Sequence, residues 1–137
     1  MFTTRITPRI SETNLAGHIS NTVVPVWFEA GRAEVYDLFR GDDPSGGTPL
    51  VIKTFTVTFH RELDLVGEVT IECGVLRVGR TSFALVERAL QNGRLCASGE
   101  VVYVVLGPAG PVEVPPSVRK QLEAHRVVSE AGDTAAS

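Results

Sequence analysis

With 137 residues, the chain is long enough to bury a hydrophobic core of its own, and its composition of 43% hydrophobic and 21% charged residues is that of an ordinary globular protein. Its 13 basic and 16 acidic residues give a formal charge of -3, which argues against a surface that binds nucleic acid. The N-terminal segment lacks the apolar core of a signal peptide, and no stretch is long enough to span a membrane, so we expect a cytoplasmic protein.

Both cysteines, Cys73 and Cys96, lie within apolar runs, and neither belongs to a CxxC motif or a Cys/His cluster. Two isolated cysteines form neither a disulfide framework nor a metal site. We therefore expect two buried free thiols and no bound metal.

A strand and then a polar turn are predicted at the start of the chain. Residues Phe2–Ile10 alternate between apolar and polar side chains, and Pro8 favours a position at the edge of a sheet. The short polar side chains of Ser11–Asn14 then predict a turn, which the Leu15–Gly17 segment closes.

A single long helix is predicted next. Apolar residues recur with a helical period from Val23 to Phe39, and Pro25 fits only in a first helical turn, so we expect the helix to begin near Thr22. Asn21 or Thr22 would then be its N-cap. The apolar face carries Trp27, Phe28, Gly31, Val35, Leu38 and Phe39, with Arg32 inside the apolar arc and Glu29 on its flank.

Four β-strands are predicted after a loop rich in Gly and Pro, Gly41–Pro49. Short connections separate them, so neighbouring strands should be antiparallel, and the Gln91–Gly93 segment is a strong hairpin signal. The run Val101–Leu106 is apolar on both faces, which predicts a central strand or an oligomer interface. The four runs are Leu50–His60, Glu68–Val78, Thr81–Leu90 and Leu95–Leu106.

The chain ends in a short helix and a tail. Ser117 is the predicted N-cap of a helix that reaches about Arg126, and the small polar residues from Ser129 onwards predict disorder. These elements define one α+β domain, residues 1–128, in which a curved five-stranded antiparallel sheet surrounds one long helix. Residues 129–137 form the tail.

The segment from Ser11 to Arg32 carries a motif. It reads SETNLAGHISNTVVPVWFEAGR and resembles the signature of hotdog-fold acyl-CoA thioesterases of the 4-hydroxybenzoyl-CoA thioesterase type, approximately Asp-x-x-Gly-His-x-Asn-Asn followed by aromatic-Glu-x-x-Arg. The predicted strand order and the Gly79–Ser82 turn extend the resemblance over nearly the whole domain. The matching residues are Gly17, His18, Asn21, Phe28, Glu29 and Arg32.

The resemblance implies a hotdog fold that forms homodimers edge to edge, often as a dimer of dimers, with active sites between subunits. Coenzyme A thioesters would be hydrolysed to free thiol and acid, without a further cofactor or a metal. By the same resemblance, the backbone amide of Asn21 would stabilise the oxyanion. Arg80, Thr81 and Ser82 would contact coenzyme A, because arginine and hydroxyl side chains bind phosphate well.

Asn14 departs from the family pattern, which has a carboxylate at this position as nucleophile or general base. An amide cannot accept a proton at neutral pH, so we expect Asn14 only to orient water or to bind substrate. Glu29 is the preferred base, because burial against Trp27 and Phe28 would raise its pKa to a useful value.

Two other residues are candidates for the missing base. His18 could accept a proton, or it could instead donate a hydrogen bond to the thioester carbonyl. Glu12 is a weaker candidate, since its direction along the turn does not follow from the sequence.

These residues also have purely structural interpretations. Glu29 and Arg32, three positions apart on a helix, would form a surface ion pair. His18 would be a capping or turn residue, and Asn14 a turn former. Thr81 would lie in a hairpin turn exposed to water.

We therefore predict an acyl-CoA thioester hydrolase that uses water attack assisted by Glu29, with His18 and Asn14 positioning water or substrate. One alternative is a non-hydrolytic protein that binds acyl-CoA or acyl-carrier protein, which the missing aspartate favours. Another is a hotdog hydratase or dehydratase, although the Gly-His-x-x-Asn pattern suits thioesterases better.

Overall fold

The computed structural model describes residues 1–41 and 47–127. It has a hotdog fold of the α+β class, in which a curled antiparallel sheet packs against the helices, as predicted. In chain order the elements are β1 (Phe2–Ile6), a 3₁₀ turn (Ile10–Glu12), α1 (Val24–Ala30), α2 (Ala33–Arg40), β2 (Leu50–Phe59), β3 (Val69–Val78), β4 (Ser82–Gln91), β5 (Arg94–Gly107), β6 (Gly110–Pro111) and α3 (Pro116–Ala124).

The five long strands lie in the order β1-β3-β4-β5-β2, and the short β6 pairs with β5. β2 to β5 agree with the predicted runs to within one residue at each end, whereas β1 stops at Ile6 because the chain then turns towards the 3₁₀ segment. The edge position of β1 and the central position of β5 are confirmed. Asn92 and Gly93 have φ of 54° and 73°, which confirms the predicted two-residue hairpin turn.

The helical layer differs from the prediction of one long helix. α1 ends at Ala30 and α2 begins at Ala33, because the chain comes very close to the sheet at Gly31. A Cβ atom on Gly31 would lie 2.5 Å from Cγ2 of Ile71, and Arg32 has non-helical dihedral angles of φ -97° and ψ 4°. The predicted apolar face is nevertheless the buried one, with Trp27, Phe28, Gly31, Val35 and Phe39 buried and Leu38 partly buried.

The predicted helix caps are wrong at both helices. α1 begins at Val24, two residues later than expected, since residues 21–23 form a turn and Val23 is the N-cap. Pro25 does lie in the first turn, as predicted. Pro115 caps α3 and Ser117 already lies inside it, because Pro116 is preorganised for the first helical position.

Two buried apolar clusters fill the space between the helices and the sheet. One surrounds α2 and α3, and the other lies between α1 and the ends of β3 and β5. Cys73 and Cys96 are buried free thiols, which confirms that prediction. The predicted disordered tail from Ser129 and most of the Gly41–Pro49 loop lie outside the described residues.

A buried ion pair connects the helix break to the sheet. Arg32 and Glu87 are 1% and 0% exposed, and the Arg32 Nε donates to Glu87 Oε2 over 3.1 Å. The Arg32 Nη1 donates to the Tyr103 hydroxyl over 2.6 Å, and that hydroxyl also bonds to the hydroxyl of Tyr36. The surface ion pair considered for Glu29 and Arg32 is therefore wrong, since Arg32 points into the core.

Burial and the neighbouring charges shift the pKa of both partners. Burial raises the pKa of the Glu87 carboxyl to about 7, and this effect outweighs the opposite influence of Arg32. Burial would lower the pKa of Arg32, but the charge of Glu87 and the hydrogen bond to Tyr103 raise it above its ordinary value. Arg32 thus stays charged, while Glu87 titrates near neutrality. Within the described residues, Glu87 Oε1 has no hydrogen-bond partner.

The raised pKa of Glu87 predicts a pH-dependent stability. Between the ordinary carboxyl pKa of 4.5 and about 7, the folded protein keeps a proton that the unfolded chain loses. The free energy of unfolding of the native protein should therefore fall, relative to that of Glu87→Gln, as pH rises through this window. Urea denaturation of both proteins from pH 4.5 to 8 measures the difference.

Glu34→Gln, at an exposed position on α2, serves as the control and should show a much smaller pH-dependent difference. If Glu87→Gln does not fold, the apolar double variant Arg32→Met, Glu87→Leu replaces it as the reference that does not titrate. A difference that increases with pH would show that attraction to Arg32 dominates and that the pKa of Glu87 is lowered.

Candidate active site

A cleft of about 590 Å³ opens where the polar turn, the start of α1 and the segment after β2 meet. Two of the predicted site residues, Asn14 and Asn21, line it. Its walls are formed by Asn14, Ile19, Ser20, Asn21 and Val24 on one side and by Phe59, His60, Arg61, Glu62 and Leu63 on the other.

Asn14 organises the turn that leads into the cleft. Its side-chain oxygen accepts hydrogen bonds from the backbone N–H groups of Ala16 at 2.9 Å and His18 at 3.2 Å. Gly17 has a φ of 83°, which glycine adopts without strain. The turn-forming interpretation of Asn14 is therefore confirmed. Within the described residues, its amide NH₂ donates no hydrogen bond, so this donor is available to a ligand in the cleft.

The turn before α1 contains a backbone amide that is available at the cleft. Val23 N–H donates to the Ser20 carbonyl at 3.0 Å, and Thr22 N–H reaches the Ser20 hydroxyl at 3.4 Å. Over residues 1–41 and 47–127, the N–H of Asn21 donates to no protein acceptor. An N–H without a protein acceptor can donate to a ligand atom in the cleft.

His18 contacts a residue that the sequence analysis did not single out. Its Nδ1 lies 3.0 Å from Oδ1 of Asp64, and the two residues also form an antiparallel backbone bridge. The side chains are 40% and 58% exposed, so the pair lies at the surface beside the cleft. Asp64 could not be chosen from the sequence, because nothing in the Arg61–Gly67 segment predicts which of its polar residues faces His18.

Glu29 does not line the cleft of its own chain. It is exposed on α1, five residues after the first residue of that helix and so roughly 7.5 Å along its axis. Trp27 and Phe28 are buried beneath the helix, so the expectation that they bury Glu29 is wrong. The neighbouring exposed residue is Val26, whose side chain is 62% exposed.

Glu12 has a structural role. Its Oε1 accepts a hydrogen bond from the Arg9 N–H at 2.8 Å, and its Oε2 accepts one from Trp27 Nε1 at 3.0 Å. The carboxylate thereby connects the polar turn to α1. Both of its oxygens are engaged, which makes Glu12 a poor candidate for a base.

The predicted coenzyme A residues lie far from this cleft within one chain. Arg80, Thr81 and Ser82 form the turn between β3 and β4, whereas Gln91 at the other end of β4 contacts Asp64. The length of β4 separates the two places by roughly 30 Å along the strand. Arg80 is exposed and forms a 3.6 Å ion pair with Glu113.

The far wall of the cleft carries polar residues that the sequence did not predict. His60, Arg61 and Glu62 follow β2, and the backbone N–H groups of His60 and Arg61 both donate to the Cys96 carbonyl. His60 Nε2 lies 2.8 Å from the Ser98 hydroxyl. This local bend of the backbone directs the segment across the cleft, and no sequence signal marks it.

Within the part of the chain that the structure describes, no group of three or more His, Cys, Asp or Glu side chains is arranged to hold a metal ion. None of the described helices is long and apolar enough to cross a membrane.

Comparison with known proteins identifies the family. The profile of the thioesterase-like superfamily matches residues 8–122, so the chain belongs to this superfamily. A structure of a predicted thioesterase from Bacillus stearothermophilus is 41% identical, with 92% of this chain and 96% of that chain covered and a TM-score of 0.86. A search of curated proteins gave no match.

More distant structures share the fold. A thioesterase from Thermus thermophilus, complexed with coenzyme A and Zn, is 24% identical over 88% of this chain and 96% of that chain, with a TM-score of 0.79. The dynemicin thioesterase, studied for polyene binding, is 22% identical over 93% of this chain and 98% of that chain, with a TM-score of 0.80.

Glu12→Ala tests the structural role of that carboxylate. The variant leaves the Trp27 indole N–H without its acceptor, so the free energy of unfolding should fall by about 1–3 kcal/mol. The emission of Trp27, the single tryptophan of the chain, should shift as well. Urea denaturation followed by fluorescence measures both effects.

Glu68→Ala is the matched control, because Glu68 also pairs with an arginine, Arg5, but at an exposed site. Its loss should cost less than about 1 kcal/mol. Unchanged stability and emission in Glu12→Ala would leave Glu12 free for a catalytic role.

Proposed function

We propose that the protein hydrolyses acyl-CoA thioesters to free coenzyme A and a carboxylic acid, without a further cofactor. The main support is that Asn14 and Asn21 line one cleft in a chain of the thioesterase-like superfamily. The Asn21 N–H would donate to the thioester oxygen as negative charge develops there, an effect typically worth roughly 10²–10³ in rate. A cytoplasmic location remains a prediction from the sequence.

In this proposal, Asn14 binds water or substrate and does not accept a proton. Its side-chain oxygen already accepts two backbone N–H groups, and its NH₂ is available to hold water or the substrate. An aspartate at the same place would present a second acceptor oxygen instead of that donor. The proton of the attacking water must therefore go to another residue.

We propose that Glu29 takes this proton in a cleft completed by a second copy of the chain. Glu29 is exposed next to the exposed Val26, which supports a helix face that a partner covers. β2 lies at the edge of the sheet and exposes 44% of Val51 and 42% of Ile52. An edge strand of ten residues with exposed apolar side chains is a natural place for pairing with another strand.

A second copy would also explain the distance of the predicted coenzyme A residues. Arg80, Thr81 and Ser82 lie roughly 30 Å along β4 from the cleft, so they would serve the cleft of a neighbouring subunit. Arg80 can exchange its exposed ion pair with Glu113 for a phosphate at little cost.

The amide of Asn14, in place of a carboxylate, also supports the alternative of a non-hydrolytic acyl-CoA-binding protein. If the partner supplies no base, the cleft would hold a thioester without cleaving it. Tight binding of acyl-CoA with no release of thiol would identify this function.

Release of free coenzyme A, detected with a thiol reagent over short, medium, long and aromatic acyl-CoAs, tests the proposal. The native protein should turn over at least one of these substrates. Asn14→Asp is the comparison, since it restores the carboxylate of the family pattern without changing the size of the side chain. Turnover by Asn14→Asp alone would identify the native chain as a binding protein.

Glu29→Gln tests the base. It should lower kcat by roughly 10²–10⁴ with little change in KM, because the amide cannot accept a proton. Glu62→Gln is the rival variant, because Glu62 is the carboxylate that lines the cleft within the same chain, and it should retain most of the activity. The reverse result, with Glu62→Gln inactive and Glu29→Gln active, would place the base on the far wall of the cleft.

Ile52→Lys tests the interface. Light scattering after gel filtration should show a dimer or larger assembly for the native chain, and a shift towards monomer when a charge is placed on the exposed edge of β2. Val66→Lys, at a side chain that is 81% exposed outside β2, should leave the mass unchanged. An equal effect of both substitutions would argue against pairing through β2.

A further inference from the structure

We propose that Asp64 is a positioning residue that holds His18 with its proton on Nδ1. The neutral imidazole then presents Nε2 as a hydrogen-bond acceptor. The use of this acceptor, to orient the attacking water, rests on the proposed function, whereas the choice of tautomer depends on the geometry of this pair alone.

The contact itself determines which nitrogen carries the proton. His18 Nδ1 lies 3.0 Å from Asp64 Oδ1, a good hydrogen-bond distance. A carboxylate only accepts hydrogen bonds, so Nδ1 must be the donor. In a neutral ring the other nitrogen, Nε2, then carries a lone pair and no hydrogen.

The backbone holds the two residues together, which distinguishes them from a chance surface pair. His18 and Asp64 form an antiparallel bridge, and the N–H of Ile19 donates to the carbonyl of Leu63 at 2.8 Å. Ile19 and Leu63 are 4% and 3% exposed, so buried side chains secure both segments. On the other side, Asn14 N–H donates to the His18 carbonyl at 2.8 Å.

Gln91 fixes the segment that carries Asp64. Its side chain is buried, and its Oε1 accepts the Asp64 N–H at 2.8 Å. Its Nε2 donates to the carbonyls of Asp64 at 2.9 Å and Gly67 at 2.8 Å. The last residue of β4 thus holds the backbone at both ends of the turn, and the Asp64 carboxylate is presented to His18 from a rigid support.

The pairing with Asp64 distinguishes between the two roles that the sequence left open for His18, proton acceptor and hydrogen-bond donor to the carbonyl. Donation of a hydrogen bond from Nε2 to the thioester carbonyl would need a proton on that nitrogen. With Nδ1–H engaged by Asp64, neutral His18 accepts at Nε2 instead. In the proposed reaction it would therefore accept a hydrogen bond from the attacking water and orient it, while the carbonyl is left to the amide of Asn21.

Nitrogen NMR of the imidazole rings tests the proposal without relying on activity. The chain contains three histidines, His18, His60 and His125, so long-range ¹H–¹⁵N spectra are simple, and His18→Gln assigns the signals. Native His18 should show the Nδ1–H tautomer. Asp64→Asn should reverse or mix the tautomers, because the amide can donate to Nδ1, and Asp64→Leu should remove the preference. The signals of His60 and His125 are internal controls.

Kinetics provides the second measurement. Asp64→Asn should lower kcat by roughly 10²-fold, the size of effect that misplacing a group near the reacting atoms can have, with KM nearly unchanged. Asp64→Glu, which keeps a carboxylate, should restore part of the loss. Circular dichroism should show that each variant is folded.

An unchanged His18 nitrogen pattern in both Asp64→Asn and Asp64→Leu would overturn the proposal. So would a full change of tautomer with no effect on kcat in an active enzyme, since the acceptor would then have no use. If the native protein hydrolyses no thioester, the proposed function fails, and the tautomer measurement alone still supports or overturns the positioning role of Asp64.

Discussion

The buried ion pair between Arg32 and Glu87 joins the helical layer to the sheet at the break between α1 and α2. A guanidinium can enter a core only if its charge and its donors are satisfied, and Glu87 with Tyr103 satisfies them. Arg32 lies where the chain leaves the helical path between Ala30 and Ala33. Removing one partner of such a pair typically costs about 3–5 kcal/mol, whereas replacing both by apolar residues is often neutral. The pair is therefore costly to break on one side, although it need not add net stability to the fold.

The cleft is built mainly by backbone hydrogen bonds. Asn14 closes the polar turn, Ser20 accepts the amides that precede α1, and Gln91 holds the turn that carries Asp64. Each of these residues forms hydrogen bonds to main-chain groups. As a result, the Asn21 N–H and the Asn14 NH₂ are held in place before any ligand arrives, and preorganised donors of this kind are what the proposed hydrolysis would use.

Most of the fold could be predicted from the sequence, because strand alternation and turn residues are local signals. The Asn92-Gly93 hairpin and the four strands after Gly41 followed from them directly. The interruption of the helix could not, since it occurs where Gly31 packs closely against Ile71 and Arg32 reaches Glu87, contacts between residues distant in the chain. Arg32 itself indicated a buried partner, because it is a charged residue on the predicted apolar face of the helix. Such a residue requires a partner, and only the folded sheet identifies it.

The candidate site likewise contains some residues that the sequence predicts and others that only the folded chain brings together. Asn14, His18 and Asn21 come from one short segment, and a motif of contiguous residues finds them. Asp64, Gln91 and the segment after β2 reach the site through tertiary pairing, so no spacing rule applies to them. The prediction that Glu29 is buried was wrong for a related reason. The helix period shows which residues share a face, but it does not decide whether a side chain at the boundary of that face is covered.

The length of β4 between the cleft and the Arg80 turn has a consequence for how the proposed enzyme can diversify. In the proposed function, the acyl end and the nucleotide end of a thioester would be bound by two segments at opposite ends of β4, one before α1 and one in a surface hairpin. Substitutions in the hairpin can then change which carrier is accepted, coenzyme A or another, while the groups around the thioester carbon keep their geometry. In the proposed function, the preference for a carrier and the preference for an acyl group would therefore change independently of each other.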